Sequence, residues 1–459
     1  VRPGDRVHRG ELIGTAGDGK SAAVHAPAAG SVVGLEDRLV PAGTGLVSST
    51  CVVIAVDRGS YDRAAVAEPA WPPDRAARLR AIRDAGIVGL GGAAFPTAAK
   101  LDPPRSCETL ILNGAECEPY ISCDDMLMRE HAADVVAGAR VMLELLGGQR
   151  CIIAVERDKA VAFGAMRAAL EALDDERLTL VAIPTIYPAG GERQLVESLL
   201  GIEVPAGAYP SAVGVVCQNV ATARALADYA ANATPLTSRI VTVTGHGVRM
   251  PQNVDAPIGA SISDLVEHCG GYGEGVAQLI LGGNMMGYAL PSDDIPVTKS
   301  TNCIIAMAAA ESWASGAEWP CIRCGDCASA CPARLQPQAL LRAARPAQPD
   351  ALIELGLDDC IECGCCDVAC PSHIALTAAF RSAKTALQTY RDQQQRAVIA
   401  ERHYAEHMAR IATTAADADR EQRDLRAALT TDAAGRRSAI EAAIDRARRR
   451  LREPDGGES

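Results

Sequence analysis

The 459-residue sequence contains no apolar run of the ~18 residues needed to cross a bilayer, and the stretch after Val1 is polar. Neither a membrane-spanning helix nor a secretion signal can be read in it, so the chain is expected in the cytosol. The opening on Val1 in place of Met reads as a clipped or alternative start. Positive charge is not in excess either. A formal net charge of −12 argues against nucleic acid as the main partner, and a hydrophobic content of 48% excludes wholesale disorder. Without a secretion signal, the 17 cysteines are expected to stay reduced, which favours metal ligation over a disulfide framework. The length gives room for three or more domains, each with its own core.

Eight of those cysteines carry the strongest signal. "CIRCGDCASACP", Cys321 to Pro332, spaces four thiols by two, two and three residues and closes on proline. "CIECGCCDVACP", Cys360 to Pro371, repeats the spacing 39 positions later. Three thiolates from one tight loop cap one face of an iron–sulfur cubane. In the bacterial two-cluster pattern the cysteine before proline ligates the other cluster. The spacing therefore assigns Cys321, Cys324, Cys327 and Cys370 to one 4Fe–4S cluster, and Cys360, Cys363, Cys366 and Cys331 to a second. A pair of structural zinc sites is the competing reading, but zinc motifs usually lack the third thiol and the cysteine before proline. Cys365 is off the spacing and reads as a spare core thiol.

Around these blocks the texture changes several times. Residues 1–76 break into short β-prone runs punctuated by Gly and Pro, a barrel-sandwich rhythm, yet the "VHAPAAG" turn holds no lysine for a carried prosthetic group. A docking or structural role is expected of it. Residues 77–236 alternate helical stretches with apolar runs such as "ETLILNGAE" and "RCIIAVERD", which predicts a Rossmann-like α/β domain with a parallel sheet. One long helix is expected from Asp124, as N-cap, to Leu146, stopped by Gly147. Residues 237–292 read as a compact α+β module of two strand-like runs around a turn and a short helix. Residues 293–392 form the α-helical two-cluster domain. Residues 393–459 form a helical tail with a weak coiled-coil seam through Tyr404, Met408, Ile411 and Leu425. Arg446, Arg448, Arg449, Arg450 and Arg452 near its end read as a solvated face, or as a contact for anionic lipid.

Upstream, "GIVGLGGAAFPTAAKL" sets Gly86, Gly89, Gly91 and Gly92 before Phe95, Thr97 and Lys100. Glycines let backbone N–H groups approach a phosphate, and a lysine adds positive charge; the plain alternative is a turn. "LNGAECEPY" then places Asn113, Glu116 and Glu118 at the end of a predicted strand, either as groups that read a nucleotide or flavin edge or as a solvated acidic turn.

"GLGGAAFPTAAK", "NGAECEP", "YPAGGERQL", "QNVAT", "LGGNMMG" and the paired cysteine blocks, in this order, resemble the C subunit of the Rnf-type ion-translocating electron transport complex. The central part is similar to the flavin- and NADH-binding subunit of respiratory complex I. The resemblance runs from the first residues to about Tyr390 and leaves out the tail. It implies FMN held by Gly89, Gly91, Gly92, Thr97 and Lys100, with Phe95 beside the nicotinamide site. It also implies that Asn113, Glu116, Glu118, Gly191, Glu192 and Asn219 line the flavin or nucleotide. Two positions depart from the complex I pattern: Ala115 replaces an aspartate, and Arg193 replaces a glutamate, which would favour a reduced anionic flavin. For residues 237–292 it implies a β-grasp, soluble-ligand-binding type of module that braces the flavin domain. The function implied is that of a peripheral subunit on the cytoplasmic side of an inner membrane. There it passes electrons between NAD(H) as substrate and ferredoxin or a membrane acceptor, through FMN and two 4Fe–4S clusters, alongside other membrane and peripheral subunits and without nucleic acid. Three alternatives stand beside it: a soluble flavin iron–sulfur reductase of cobalamin-reductase type, a flavin-less electron-wire scaffold, and a nucleotide sensor without turnover.

Overall fold

The computed structural model describes residues 1–17, 21–43, 45–57, 71–309, 317–429 and 433–450. They fall into two units, Val1–Ser382 and Ala383–Ser459.

Four strands in the order Leu178–Ile183, Arg150–Glu156, Thr109–Gly114, Val215–Asn219, all parallel, make the central sheet of the first unit. The strand "TLILNG" is apolar almost throughout because both its faces are covered. Leu110 and Leu112 point into one cluster with Val135, Met142 and Leu143 of the helix Ala132–Leu146, while Ile111 points into the other with Leu195 and Val196. Gly138 lets that helix approach Val220–Asn232, since a Cβ there would overlap the carbonyl oxygen of Ala223. The strand order reverses between Thr109–Gly114 and Val215–Asn219, the place where doubly wound sheets bind ligands beyond the strands' carboxyl ends.

The single helix expected from Asp124 to Leu146 is two, Cys123–Glu130 and Ala132–Leu146, broken at His131, whose backbone leaves the helical region at φ −127° and ψ 30°. Gly147 does end the second helix, in the left-handed conformation that frees glycine from a Cβ penalty.

The N-terminal strands carry a long antiparallel hairpin, Gly30–Ala42 with Gly45–Val56. A second sheet, after the α/β domain, contains Ser238–Thr244, Gln252–Pro257, Val276–Leu281 and Tyr288–Ala289 around the helix Ile262–His268. Its central strand is Cys303–Ala308, parallel to Ser238–Thr244 and antiparallel to Val276–Leu281. This sheet is richer than the two runs read from the sequence, and it draws on residues beyond 292, because Ile295, Val297 and Ile304 complete its core.

The second unit continues the helix Leu376–Leu429 and adds Ala433–Arg450, with Arg446 on Glu421 at 3.1 Å. Tyr404, Met408 and Ile411 of the expected seam are exposed. Arg452 lies outside the described residues.

Candidate cofactor sites

The two cysteine blocks fold alike. Left-handed backbone recurs at Arg323 and Glu362, Gly325 and Gly364, and Arg334 and His373, each pair 39 residues apart. These turns curl each loop so that its three thiols face inward. One cavity is lined by Cys360, Cys363 and Cys366 together with Cys331 from the other block. The second is lined by Cys321, Cys324 and Cys327 together with Cys370. Each cavity thus has four sulfurs, three from its own loop and one borrowed, a donor set that fits a cubane with one thiolate per iron. Cys365 lines neither cavity.

The glycine-rich loop sits at the sheet's switch point. Its base is closed by Gly89 N–H donating to Phe95 O at 2.8 Å and by a bridge between Val88 and Pro96. Leu90 is clamped twice: its N–H donates to Thr222 Oγ1 at 2.9 Å, and its carbonyl accepts from the buried Arg239 at 3.0 Å. Gly86 is held by Lys299, whose ammonium also donates to Ala23 O of the N-terminal module. Between these anchors Gly91 passes the side chain of Asn219, where an added Cβ would sit 3.3 Å away, and Gly92 takes φ +109°. Phe95 is half-buried and Thr97 fully buried, with no partner for its hydroxyl among the described residues.

Asn219 ends its strand and caps the helix Val220–Asn232, accepting from Ala221 N–H at 2.8 Å and donating to Asp124 Oδ2 at 2.6 Å. Asn113 lies near the end of the neighbouring strand. It accepts from Ala115 N–H and donates to Gly190 O at 2.9 Å, so it ties the two rim loops together. Lys100 and Glu192 pair at 2.5 Å across the rim, and Gly191 caps the helix that Glu192 begins. Glu116 turns both oxygens onto the N–H groups of Asp124 and Asp125. Burial first, then the charge of Asp124, pushes Glu116 up to about 8. Burial likewise raises Asp124, against the pull of Asn219 and Arg239, so this pair retains a proton at neutral pH.

Glu118 and Arg193 also make contacts between distant segments. Glu118 accepts from Met285 and Met286 N–H at 2.8 and 2.9 Å, joining "LGGNMMG" to the α/β domain. Arg193 pairs with Asp359 at 3.0 Å and donates to Ala208 O.

A glycine loop that exposes backbone donors, an orphaned Thr97 hydroxyl and a rim of amide and carboxyl groups fit a flavin phosphate and ring. The comparisons agree with that chemistry. Residues 82–228 match the Nuo51 FMN-binding domain, 240–289 the SLBB domain, 1–59 the RnfC barrel sandwich hybrid domain and 320–375 the 4Fe-4S dicluster domain. The C subunit of the ion-translocating oxidoreductase complex of Pseudomonas aeruginosa is 43% identical over 74% of this chain and 44% of its own length. That of Pectobacterium atrosepticum is 37% identical over 98% of this chain and 64% of its own length. The chain belongs to the C-subunit family of ion-translocating oxidoreductase complexes. It spans about half the length of the curated relatives it matches in that family. Among solved structures, an NAD+-reducing [NiFe]-hydrogenase in the air-oxidized state is 26% identical, with a TM-score of 0.46 over 52% of this chain and 47% of that one.

Several groups that build the rim in this C-subunit chain have no counterpart among the residues the sequence singles out. Thr222 and Arg239 act through contacts between distant segments, which no spacing announces. Tyr187 donates to the Cys363 carbonyl at 2.6 Å, linking the "YPAGG" loop to a cluster loop. Glu156 is a fully buried carboxylate at the end of its strand, and burial raises its pKa. The available signal for it is a charge closing the apolar run "RCIIAVE".

Proposed function

We propose that this chain is the nicotinamide-facing, electron-relaying subunit of a membrane-bound ion-translocating complex, and that it exchanges electrons between NAD(H) and a ferredoxin or membrane acceptor. The observation that carries the reading is a glycine-loop rim at a sheet switch point, bonded directly to one of two four-thiol cavities. FMN supplies two-electron to one-electron conversion when bound, and 4Fe–4S clusters supply one-electron relays.

In this reading the chain's own residues do the positioning. The N–H groups around Gly91 and Gly92 and the Thr97 hydroxyl hold a phosphate, with Lys100 supplying charge. Asn113 and Asn219 fix the rim on which the ring rests, and Phe95 limits water access on the nicotinamide side. The Glu116–Asp124 pair keeps a proton at Glu116, which moderates negative charge next to a site that must admit two anionic cofactors. Tyr187 and Arg193 hold the rim against the loop of Cys360, Cys363 and Cys366, making that cavity the flavin-side cluster. The other cavity, of Cys321, Cys324, Cys327 and Cys370, is then the outward one.

No helix among the described residues is long and apolar enough to cross a membrane, which is compatible with peripheral attachment through other subunits. We place the chain at the cytoplasmic face of an inner membrane. Stopped-flow mixing of anaerobic protein with NADH tests the reading. Bleaching of flavin absorbance followed by cluster reduction is expected, whereas flavin-free protein with NADH-inert clusters would favour the wire scaffold.

A further inference from the structure

The 39-residue repeat provides an internal control, because corresponding atoms of the two loops have different surroundings. On the loop of Cys360–Cys366 the outer face is covered. Glu362 pairs with Arg381 at 3.1 Å, Arg381 donates to Met286 O at 2.9 Å, and Tyr187 reaches the Cys363 carbonyl. A Cβ on Gly364 would lie 2.9 Å from Met285 O. On the loop of Cys321–Cys327 the same face is bare among the described residues. A Cβ on Gly325 would meet nothing within 4 Å, and Cys321 and Cys324 are exposed. Ile322 is 68% exposed and Trp319 65%. Arg323, the counterpart of Glu362, is exposed and has no hydrogen bond or ion pair among the described residues. The backbone beneath is fixed, since Trp319 N–H donates to Ser372 O at 2.9 Å and Ser372 Oγ to Pro320 O at 3.1 Å. Two large apolar side chains held in water on an anchored backbone, over a cluster cavity, mark an interaction surface.

We propose that the face of Trp319, Ile322 and Arg323 docks a partner protein that carries its own one-electron redox centre and presents a carboxylate to Arg323 inside an apolar rim. The repeat identifies the occupant's chemistry. Where one loop meets its neighbour through a carboxylate answered by a cation, the other loop offers the cation. One electron crosses per encounter, oxidising one centre and reducing the other, with no bond made or broken. This rests on the relay reading above.

The test uses the intact complex in native membranes, with a benzophenone amino acid in place of Trp319, which lies outside the cluster cavity. The expected result is a photo-cross-link to a different polypeptide that binds an iron–sulfur, flavin or haem centre. Cross-links only to a second copy, only to the same polypeptide, only to a cofactor-free protein, or none, overturn the proposal. In parallel, Trp319→Ala, outside the loop that curls around the thiols, should slow NADH-driven electron delivery to the membrane subunits at least tenfold. NADH should still bleach this chain's own clusters, and the iron content should be unchanged. An unchanged delivery rate overturns the docking assignment. Failure of NADH to reduce the wild-type clusters would instead remove the relay reading, and the cross-link still decides whether the face binds a redox partner.

Discussion

In the cysteine blocks all eight proposed ligands fall within Cys321 to Cys370, whereas the sheet rim gathers its groups from four segments spread between Gly86 and Thr222. The first site is built by local turns: two short loops with the same left-handed positions each gather three thiols, and a single crossing contact completes the set. The second exists only because a parallel sheet reverses its strand order and brings two strand ends, Asn113 and Asn219, side by side. A site of the first kind survives damage elsewhere and fails at its own cysteines. A site of the second kind is sensitive to any residue that sets the approach of two segments, including glycines that touch no cofactor.

The sharpest way to break the local site is to remove its one long-range member. Cys331→Ala should halve the iron, from about eight to about four per chain, and the cluster lost should be the one belonging to the loop of Cys360–Cys366. Iron analysis with electron paramagnetic resonance checks this: a single uncoupled signal is expected in place of two interacting ones. For the rim, Gly190→Val should abolish flavin retention while iron stays unchanged, because even a Cβ there lies 2.9 Å from Ala115 O. Flavin fluorescence after acid release, set beside iron content, separates the two sites.

A milder test is Asn219→Ala, which uncaps the helix Val220–Asn232 and leaves Asp124 without its amide donor. A loss of about 1–2 kcal/mol in denaturant unfolding is expected, with weakened flavin binding. The smallest effect concerns the rim's proton. Glu116 titrates at about 8 in the folded chain against 4.5 for the ordinary group. Across that interval the folded state holds a proton that the unfolded chain has released, so stability falls as pH rises from 4.5 to about 8. Glu116→Gln should flatten that slope, as read by unfolding midpoints at several pH values.

The same contrast explains what can be read from residues alone. The cluster ligands follow from spacing, because a tight loop fixes the geometry of neighbours in sequence. The parallel sheet follows from apolar strands alternating with helices, Asn113 and Glu116 are singled out by their place at the end of a predicted strand, and Asn219 only by the family resemblance. The strand Cys303–Ala308 escapes such a reading because its first residue pairs with Thr242, far back along the chain, after the sheet's other strands have been laid down. The break at His131 escapes it because "MREHAAD" carries neither Gly nor Pro. The partners of Arg193 escape it as well, because Asp359 and two backbone carbonyls reach its guanidinium from segments distant in sequence. The bonds of Glu118 to Met285 and Met286 escape it too, since they join residues 167 and 168 positions apart.

The most direct test of the account is the cofactor content of anaerobically purified protein. About eight iron, about eight acid-labile sulfide and about one FMN per chain are predicted. Zinc in place of iron, or full iron without flavin, would contradict it.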